Sequence, residues 1–158
     1  MSSHVQHYSV GVEWTGNRGT GTDGYRNYGR DHVVHVAGKP DIAGSADPLF
    51  RGDADRYSPE DLLVAALSAC HMLAYLHVAA LAGVVVTAYE DAAEGTLVTE
   101  GNTGRMRAVV LHPVVTISAA SDAAKAAALH ADAHRGCFIA SSVNFDVRCE
   151  PRVVVATH

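Results

Sequence analysis

The chain has 158 residues, 48% of them hydrophobic and 18% charged, and its 12 basic and 17 acidic side chains give a net charge of −5. This composition is typical of one folded domain over residues 1–158 and excludes a disordered chain. Because no block of basic residues is present, a nucleic-acid partner is not expected. The first residues show neither a basic n-region nor an apolar h-region, which favours a cytoplasmic protein without a secretory signal.

The first third of the chain is predicted to consist of strands and turns. Segments 7–14 and 31–37 carry alternating apolar residues, and a Gly-rich turn follows the first of them at 15–24. A connection rich in Gly, Pro and Asp then runs over 38–56. A loop of that length in a compact domain is a candidate functional loop.

The middle of the chain predicts a long central helix. Ser58 is a suitable N-cap, Pro59 fits the first helical position, and Glu60 and Asp61 complement the helix dipole. Gly83 fits the position just beyond the C-terminus of the helix. Residues 62–89 form an uncharged segment that is long enough to span a bilayer. The residues that flank this segment are acidic, however, and show no bias toward Lys or Arg. We therefore expect a core helix, apolar on nearly all sides, and no membrane partner.

The remaining elements complete an α+β pattern. Two long strands are predicted over 84–98 and 105–118, followed by a helix capped by Ser121 and ending at Gly136. A helical turn over 137–144 and a final strand over 145–156 close the chain. The order β-β-α-β-β-α-β predicts an α+β fold with antiparallel or mixed sheets.

The chain has three cysteines, and in a cytoplasmic protein a catalytic or redox pair explains cysteines better than a structural disulfide. Cys70 lies on an apolar face of the central helix, where a small buried hydrophobe is the alternative interpretation. Cys137 follows a glycine helix stop beside His134 and Arg135, where a thiol can be exposed and surrounded by positive charge. Cys149 lies within the final strand and is expected to be structural.

Two segments resemble the OsmC/Ohr family, the osmotically inducible proteins and organic hydroperoxide reductases. The stretch "SPEDLLVAALSACH" is similar to the family's Pro-Glu helix start with a cysteine, and the spacing from Glu60 to Cys70 agrees. The stretch "AHRGCFIASSVNFDV" resembles the family's second element, in which an Ala-His pair leads to a cysteine before the last strand. The resemblance extends from about residue 45 onward.

The resemblance implies an OsmC-like fold, with sheets packed around the central helix in an intertwined homodimer. It also implies a thiol peroxidase that reduces small organic hydroperoxides without a cofactor or metal. Cys70 would be the peroxidatic residue and Cys137 the resolving one. The reductant would be a dithiol, which in this family is generally a lipoyl dithiol.

A buried Cys70 needs a cation nearby, because burial disfavours the thiolate. The resemblance implies an arginine held by the glutamate of the Pro-Glu motif, here Glu60. Arg51 resembles the arginine of the OsmC branch, and we rank it first. Arg18 lies where the Ohr branch keeps its arginine, whereas Arg56 is interpreted as a solvated loop residue.

Helix geometry adds a prediction of its own. Ten residues separate Glu60 from Cys70, a rise of about 15 Å along one helix axis, which one side chain cannot bridge. Glu60 and its arginine would therefore most simply activate the Cys70 of a second, antiparallel subunit. This offset predicts a homodimer independently of the resemblance.

Two residues depart from the family pattern, and three other functions stay open. His71 replaces the usual aromatic residue and Phe138 a common proline; we expect His71 to be satisfied in the core or pocket wall and His134 to be a pocket or surface residue. One alternative is a metal site of Cys70, His71, His134 and Cys137. Another is a Cys–His acyl-transfer enzyme. The third is a non-enzymatic stress protein that binds small apolar molecules or senses redox state.

Overall fold

The computed structural model describes residues 2–157, and the chain forms two compact units, residues 1–62 and 63–158. The strands are β1 (Gly11–Trp14), β2 (His32–His35), β3 (Ile42–Gly44), β4 (Val86–Asp91), β5 (Glu94–Glu100), β6 (Thr103–Leu111), β7 (Pro113–Ile117), β8 (Asp146–Cys149) and β9 (Arg152–Val155). The helices are α1 (Pro59–Leu81) and α2 (Ala123–Gly136), and short 3-10 turns span Pro48–Phe50 and Ala140–Ser142. The predicted α+β class, with antiparallel and mixed sheets, is confirmed.

The first unit contains an antiparallel sheet in the order β1-β2-β3. Strands β1 and β2 agree with the predicted segments, but β3 lies inside the connection predicted to be a loop. Its backbone is held from both sides, because β3 pairs with β2 and Gly44 also bridges to Tyr57. The turn between β1 and β2 is closed by Trp14, whose indole N–H donates to the carbonyl of Gly29 over 2.8 Å.

Helix α1 begins and ends where the sequence predicts. The Ser58 hydroxyl accepts from the amide of Asp61 over 3.1 Å, and the Asp61 carboxylate accepts from the amide of Ser58 over 2.9 Å. This reciprocal pair is a capping box with Asp in the place of Glu. Beyond the last turn, Gly83 has a φ of +77°, the left-handed conformation that favours glycine after a helix.

Helix α1 buries only one face within the chain. Leu67, His71, Tyr75 and Ala79 form the buried stripe at intervals of four residues. Leu73, on another face, is 63% exposed. By length and composition alone α1 is apolar enough to cross a membrane. Its buried residues Leu67, Tyr75 and Ala79, however, belong to the core of the second unit.

The second unit contains two mixed sheets, ordered β4-β7-β9 and β5-β6-β8. In each sheet the last strand pairs in parallel with the middle one, β8 with β6 and β9 with β7. The prediction of two long strands and one final strand was wrong, because each of these segments divides between the two sheets. His112 lies between β6 and β7, where the chain passes from one sheet to the other. Its backbone amide donates to the Asp91 carboxylate over 2.7 Å instead of to a neighbouring strand.

Helix α2 is capped by Asp122, one residue later than predicted. The Asp122 carboxylate accepts from the amide of Lys125 over 3.1 Å. Ser121, the predicted cap, is used elsewhere, because its hydroxyl accepts from the amide of Val85 over 2.9 Å. The helix ends at Gly136, as predicted.

Candidate active site

The two cysteines of the predicted redox pair lie on the two helices of the second unit. Cys70 is half-buried in the middle of α1. Cys137 is the C-terminal cap of α2, where its amide donates to the carbonyl of His134, and its side chain is 1% exposed. Both cysteines are free, and the Cys70 thiol lies near enough to Cys137 to raise the pKa of that thiol. The fold therefore brings together two residues that are far apart in the sequence.

The environment of Cys137 acts on its thiol in two opposing directions. Burial raises the pKa of Cys137, and the neighbouring Cys70 thiol raises it further. Backbone amides of Ala140 and Ile139 act the other way and lower this pKa. The amide of Ala140 lies 3.4 Å from the sulfur, so the 3-10 turn after α2 aims a donor at the place where thiolate charge would develop.

Arg51 and Arg18, the two candidate activating arginines, line the same cavity in the first unit. The cavity has a volume of about 370 Å³. Arg51 caps the 3-10 turn Pro48–Phe50 and has a φ of +67°, which is uncommon for a residue other than glycine. The next residue must be glycine, because a Cβ on Gly52 would lie 1.6 Å from the carbonyl oxygen of Ala46. The backbone around Arg51 is thus tightly specified.

Glu60 is half-buried in the first turn of α1 and lines a second cavity of about 280 Å³ in the first unit. Arg30 lines both cavities, although the sequence analysis did not select it. Its guanidinium stacks 3.8 Å from the ring centre of Tyr28 and donates to the carbonyl of Tyr25 over 2.8 Å. The sequence signal that could have identified Arg30 is the pair of tyrosines, Tyr25 and Tyr28, shortly before it.

Arg56 has a structural role rather than the solvated one that we expected. Its guanidinium donates to the carbonyl of His32 over 3.2 Å and lies 3.4 Å from the carboxylate of Asp31. These contacts connect the segment before α1 to β2 within the first unit.

His71, His130 and Cys149 form a separate cluster in the second unit. His71 Nε2 lies 3.0 Å from His130 Nδ1, and Cys149 Sγ lies 3.6 Å from the first nitrogen and 3.7 Å from the second. Both imidazoles are buried, and Cys149 is half-buried. His71 lies in the core as expected, but it is only half satisfied, because its buried Nδ1 atom has no hydrogen-bond partner among the described residues. His134, in contrast, is exposed.

The three side chains of the cluster are uncharged at neutral pH. Burial lowers the pKa of His71, and it lowers the pKa of His130 to about 4. Burial, together with the carboxylates of Asp91 and Glu150, raises the pKa of Cys149 to about 11. At neutral pH these groups are two uncharged imidazoles and a protonated thiol.

The comparisons with known proteins agree on the family. The model of the family of OsmC-like proteins matches residues 52–152, well over half of the chain. The chain belongs to the OsmC-like family. Among curated proteins no match was found.

Solved structures of OsmC-like proteins share this fold along nearly the whole chain. An OsmC-like protein of unknown function from Vibrio cholerae is 33% identical, with a TM-score of 0.83, and the alignment covers 93% of this chain and 99% of that one. An organic hydroperoxide resistance protein from Legionella pneumophila is 19% identical, with a TM-score of 0.69 and coverage of 96% and 99%. One from Elizabethkingia anophelis, with thiocyanate bound, is 19% identical, with a TM-score of 0.67 and coverage of 96% and 99%.

The arrangement in this OsmC-like chain corrects the alternative metal site. That hypothesis combined Cys70, His71, His134 and Cys137. Among the described residues, the ligand atom of His71 groups with those of His130 and Cys149 instead, whereas Cys70 lies beside Cys137. The sequence analysis missed His130, and the signal was its spacing on α2, since buried Ala126 and Ala133 lie on the same face.

Proposed function

We propose that this OsmC-like chain is a thiol-dependent peroxidase that reduces organic hydroperoxides to alcohols. Cys70 is the peroxidatic residue and Cys137 the resolving one. The observation that carries the proposal is that the fold places the Cys70 thiol beside the Cys137 thiol, because a resolving cysteine must reach the oxidised sulfur. The Legionella pneumophila and Elizabethkingia anophelis proteins with the same fold, both named for organic hydroperoxide resistance, support this substrate class.

The first step is nucleophilic attack by the Cys70 thiolate on the distal oxygen of the hydroperoxide. The O–O bond breaks and the sulfur loses two electrons to the peroxide. The alkoxide takes up a proton and leaves as the alcohol, while Cys70 becomes a sulfenic acid. The neighbours of Cys70 on its helix face are apolar, since Ala66, Leu67 and Ala74 lie three or four residues away. This surface favours an alkyl or aryl hydroperoxide over hydrogen peroxide.

The second step closes a disulfide. The Cys137 thiolate attacks the Cys70 sulfur, an S–S bond forms, and the departing hydroxide takes up a proton to become water. The amides of Ala140 and Ile139 favour the Cys137 thiolate that this step requires. A dithiol, in this family generally a lipoyl dithiol, then returns both cysteines to thiols by thiol–disulfide exchange and becomes a disulfide itself.

Arg51 and Glu60, in this proposal, complete the site from a second copy of the chain in a homodimer. The face of α1 that is unburied within one chain supports the homodimer, because Leu73 and Leu81 are 63% and 76% exposed there. Arg51 supplies the positive charge that favours the Cys70 thiolate, and Glu60 orients the arginine.

Peptide mapping by mass spectrometry tests the thiol chemistry. The reduced protein receives one equivalent of cumene hydroperoxide or of hydrogen peroxide. We expect rapid loss of two hydrogens, a peptide pair linked through Cys70 and Cys137, and a faster reaction with cumene hydroperoxide. Cys149 should remain a thiol. An unchanged mass, or a linkage that includes Cys149, would contradict the proposal.

Subunit complementation tests the role of Arg51. Chains with Cys70→Ser and chains with Arg51→Ala, each inactive alone, are unfolded together and refolded. If Arg51 acts across the interface, one site of each mixed dimer is intact. Random pairing in a two-fold dimer then restores about a quarter of the wild-type turnover. Turnover that stays at the level of the separate variants would show that Arg51 does not act on the other subunit. The Arg51→Lys chain is the matched control for charge alone.

A further inference from the structure

The cluster of His71, His130 and Cys149 brings three metal-binding atoms together from three elements. His71 lies on α1, His130 on α2, and Cys149 at the end of β8. All three ligand atoms lie within 4.8 Å of one another. None of the three takes part in the peroxide chemistry proposed above, although His71 directly follows Cys70.

The distances in the cluster agree with one face of a metal coordination tetrahedron. Zinc lies about 2.0–2.1 Å from imidazole nitrogen and about 2.3 Å from thiolate sulfur, so tetrahedral geometry requires about 3.3 Å between nitrogens and about 3.6 Å between nitrogen and sulfur. The observed separations are 3.0 Å between the nitrogens, and 3.6 Å and 3.7 Å from the sulfur to each. A movement of a few tenths of an ångström would admit an ion.

We propose that His71 Nε2, His130 Nδ1 and Cys149 Sγ bind a divalent zinc-type ion. Two imidazoles and a thiolate are the borderline and soft donors that zinc takes in proteins. Three protein ligands leave the fourth tetrahedral position for water or another donor. Binding transfers the Cys149 proton to solvent and forms the S–metal bond, and no electron moves.

The surroundings hold the ligands in position and suit a cation. The ring of Tyr75 stacks 4.0 Å from that of His130, and its hydroxyl donates to the carbonyl of Ala126 over 2.8 Å. The carboxylate of Asp91 accepts from the Ser68 hydroxyl and acts electrostatically on both His71 and Cys149, whereas His134 acts in the opposite direction on His71. One thiolate and one nearby carboxylate balance the two positive charges of the ion.

The alternative is a cluster held by hydrogen bonds without an ion, and the two forms differ in their tautomers. In the hydrogen-bonded form one imidazole carries its proton on the inner nitrogen, because one ring must donate across the 3.0 Å contact. In the ion-bound form both protons lie on the outer nitrogens, His71 Nδ1 and His130 Nε2. Nitrogen-15 NMR of the imidazoles distinguishes these states.

Cobalt titration tests the site, with Co²⁺ as a spectroscopic substitute for Zn²⁺. The chelator-treated, fully reduced protein is titrated with Co²⁺ and then with Zn²⁺. We expect one equivalent of Co²⁺ per chain to produce a thiolate-to-cobalt charge-transfer band and the intense visible bands of tetrahedral cobalt. Zn²⁺ should abolish both signals. A protein that gives neither signal would overturn the proposal.

Matched variants identify the ligands. Cys149→Ser should lose the charge-transfer band, and His130→Gln should weaken Co²⁺ binding by more than about 100-fold, beyond the loss typical of a residue that only supports a ligand. His77→Gln, which replaces an exposed histidine of α1, should bind as the wild type does. The double variant Cys70→Ser/Cys137→Ser should keep the full signal. Loss of the signal in that double variant, or its persistence in Cys149→Ser, would place the ion at the thiol pair and overturn the proposal.

Discussion

Cys137 and Cys149 are two thiols of the same unit with opposite surroundings. Cys137 has another thiol and two backbone amides as neighbours, and the amides lower its pKa against the effect of burial. Cys149 has two imidazoles and two carboxylates nearby, and the carboxylates add to burial in raising its pKa to about 11. The pKa of both thiols is raised overall, but backbone amides offset part of the rise at Cys137, whereas the charged groups near Cys149 add to it.

The thiol pair and the histidine cluster are reached by two adjacent residues of α1. Cys70 and His71 are adjacent, yet the Cys70 thiol acts on Cys137 and His71 contacts Cys149. Adjacent helical residues diverge by about 100° around the axis, so the helix sends one side chain to each site. The following predictions test whether the two sites act independently, beginning with the largest expected effect.

Replacement of Cys70, the proposed peroxidatic residue, should have the largest effect. Cys70→Ser is expected to reduce cumene hydroperoxide turnover to the uncatalysed rate, because serine cannot form the sulfenic acid. Cys149→Ser should still turn over. Peroxide consumption with a dithiol reductant measures both. Full activity in Cys70→Ser would refute the mechanism, and equal inactivity in correctly folded Cys149→Ser would show that the two sulfur sites are not separate.

Removal of the resolving thiol should allow one turnover and then inactivate the protein. In Cys137→Ser the sulfenic acid has no partner and excess peroxide oxidises it to the sulfinic acid. The alcohol yield in a single addition should equal one per chain, and the mass of the Cys70 peptide should then increase by two oxygens. Continued turnover of this variant with the same dithiol would mean that the reductant, rather than Cys137, resolves Cys70.

Zinc should stabilise the reduced protein through the histidine cluster alone. At a free Zn²⁺ concentration 100 times the dissociation constant, an ion bound only to the folded state adds about 2.7 kcal/mol. For a chain of this length that raises Tm by about 5–10 °C. Calorimetry should show the increase in the Cys70→Ser/Cys137→Ser chain and no increase in His130→Gln. If the increase in Tm were instead lost in Cys70→Ser/Cys137→Ser and kept in His130→Gln, the ion would bind at the thiol pair.

The smallest effect should come from a change in Tyr75, whose ring stacks on His130. Tyr75→Phe removes the hydrogen bond to the Ala126 carbonyl and should lower the free energy of unfolding by about 1 kcal/mol. Co²⁺ binding should weaken modestly, while the rate of disulfide formation stays the same. Tyr89→Phe is the matched control, because among the described residues the buried Tyr89 hydroxyl has no partner and its removal should cost nothing. Denaturant unfolding measures both, and equal losses would show that the Tyr75 bond has no special role.

Local signals predicted the parts of the fold that depend on neighbouring residues. Ser58, Pro59 and Gly83 set the ends of α1 because capping involves residues only a few positions apart. The cap of α2 was misplaced by one residue, since Ser121 is taken by the amide of Val85, a contact that no local pattern shows. The division of the long apolar segments between two sheets was missed for the same reason.

The candidate sites show the same limit. The motif around Cys70 and Cys137 selected the thiol pair in advance because each half of it is contiguous in sequence. The histidine cluster combines residues from three separate elements, and only tertiary packing brings His130 and Cys149 to His71. Arg30 became visible only when the turn between β1 and β2 folded it over Tyr28.

The parallel pairing of the last two strands has a consequence for synthesis on the ribosome. Residues 146–155 supply β8 and β9, which complete both sheets of the second unit. Until residues 146–155 have emerged from the ribosome, β6 and β7 lack their parallel partners, and unpaired strand edges are prone to aggregation. We therefore expect neither sheet of the second unit to be complete before these residues emerge.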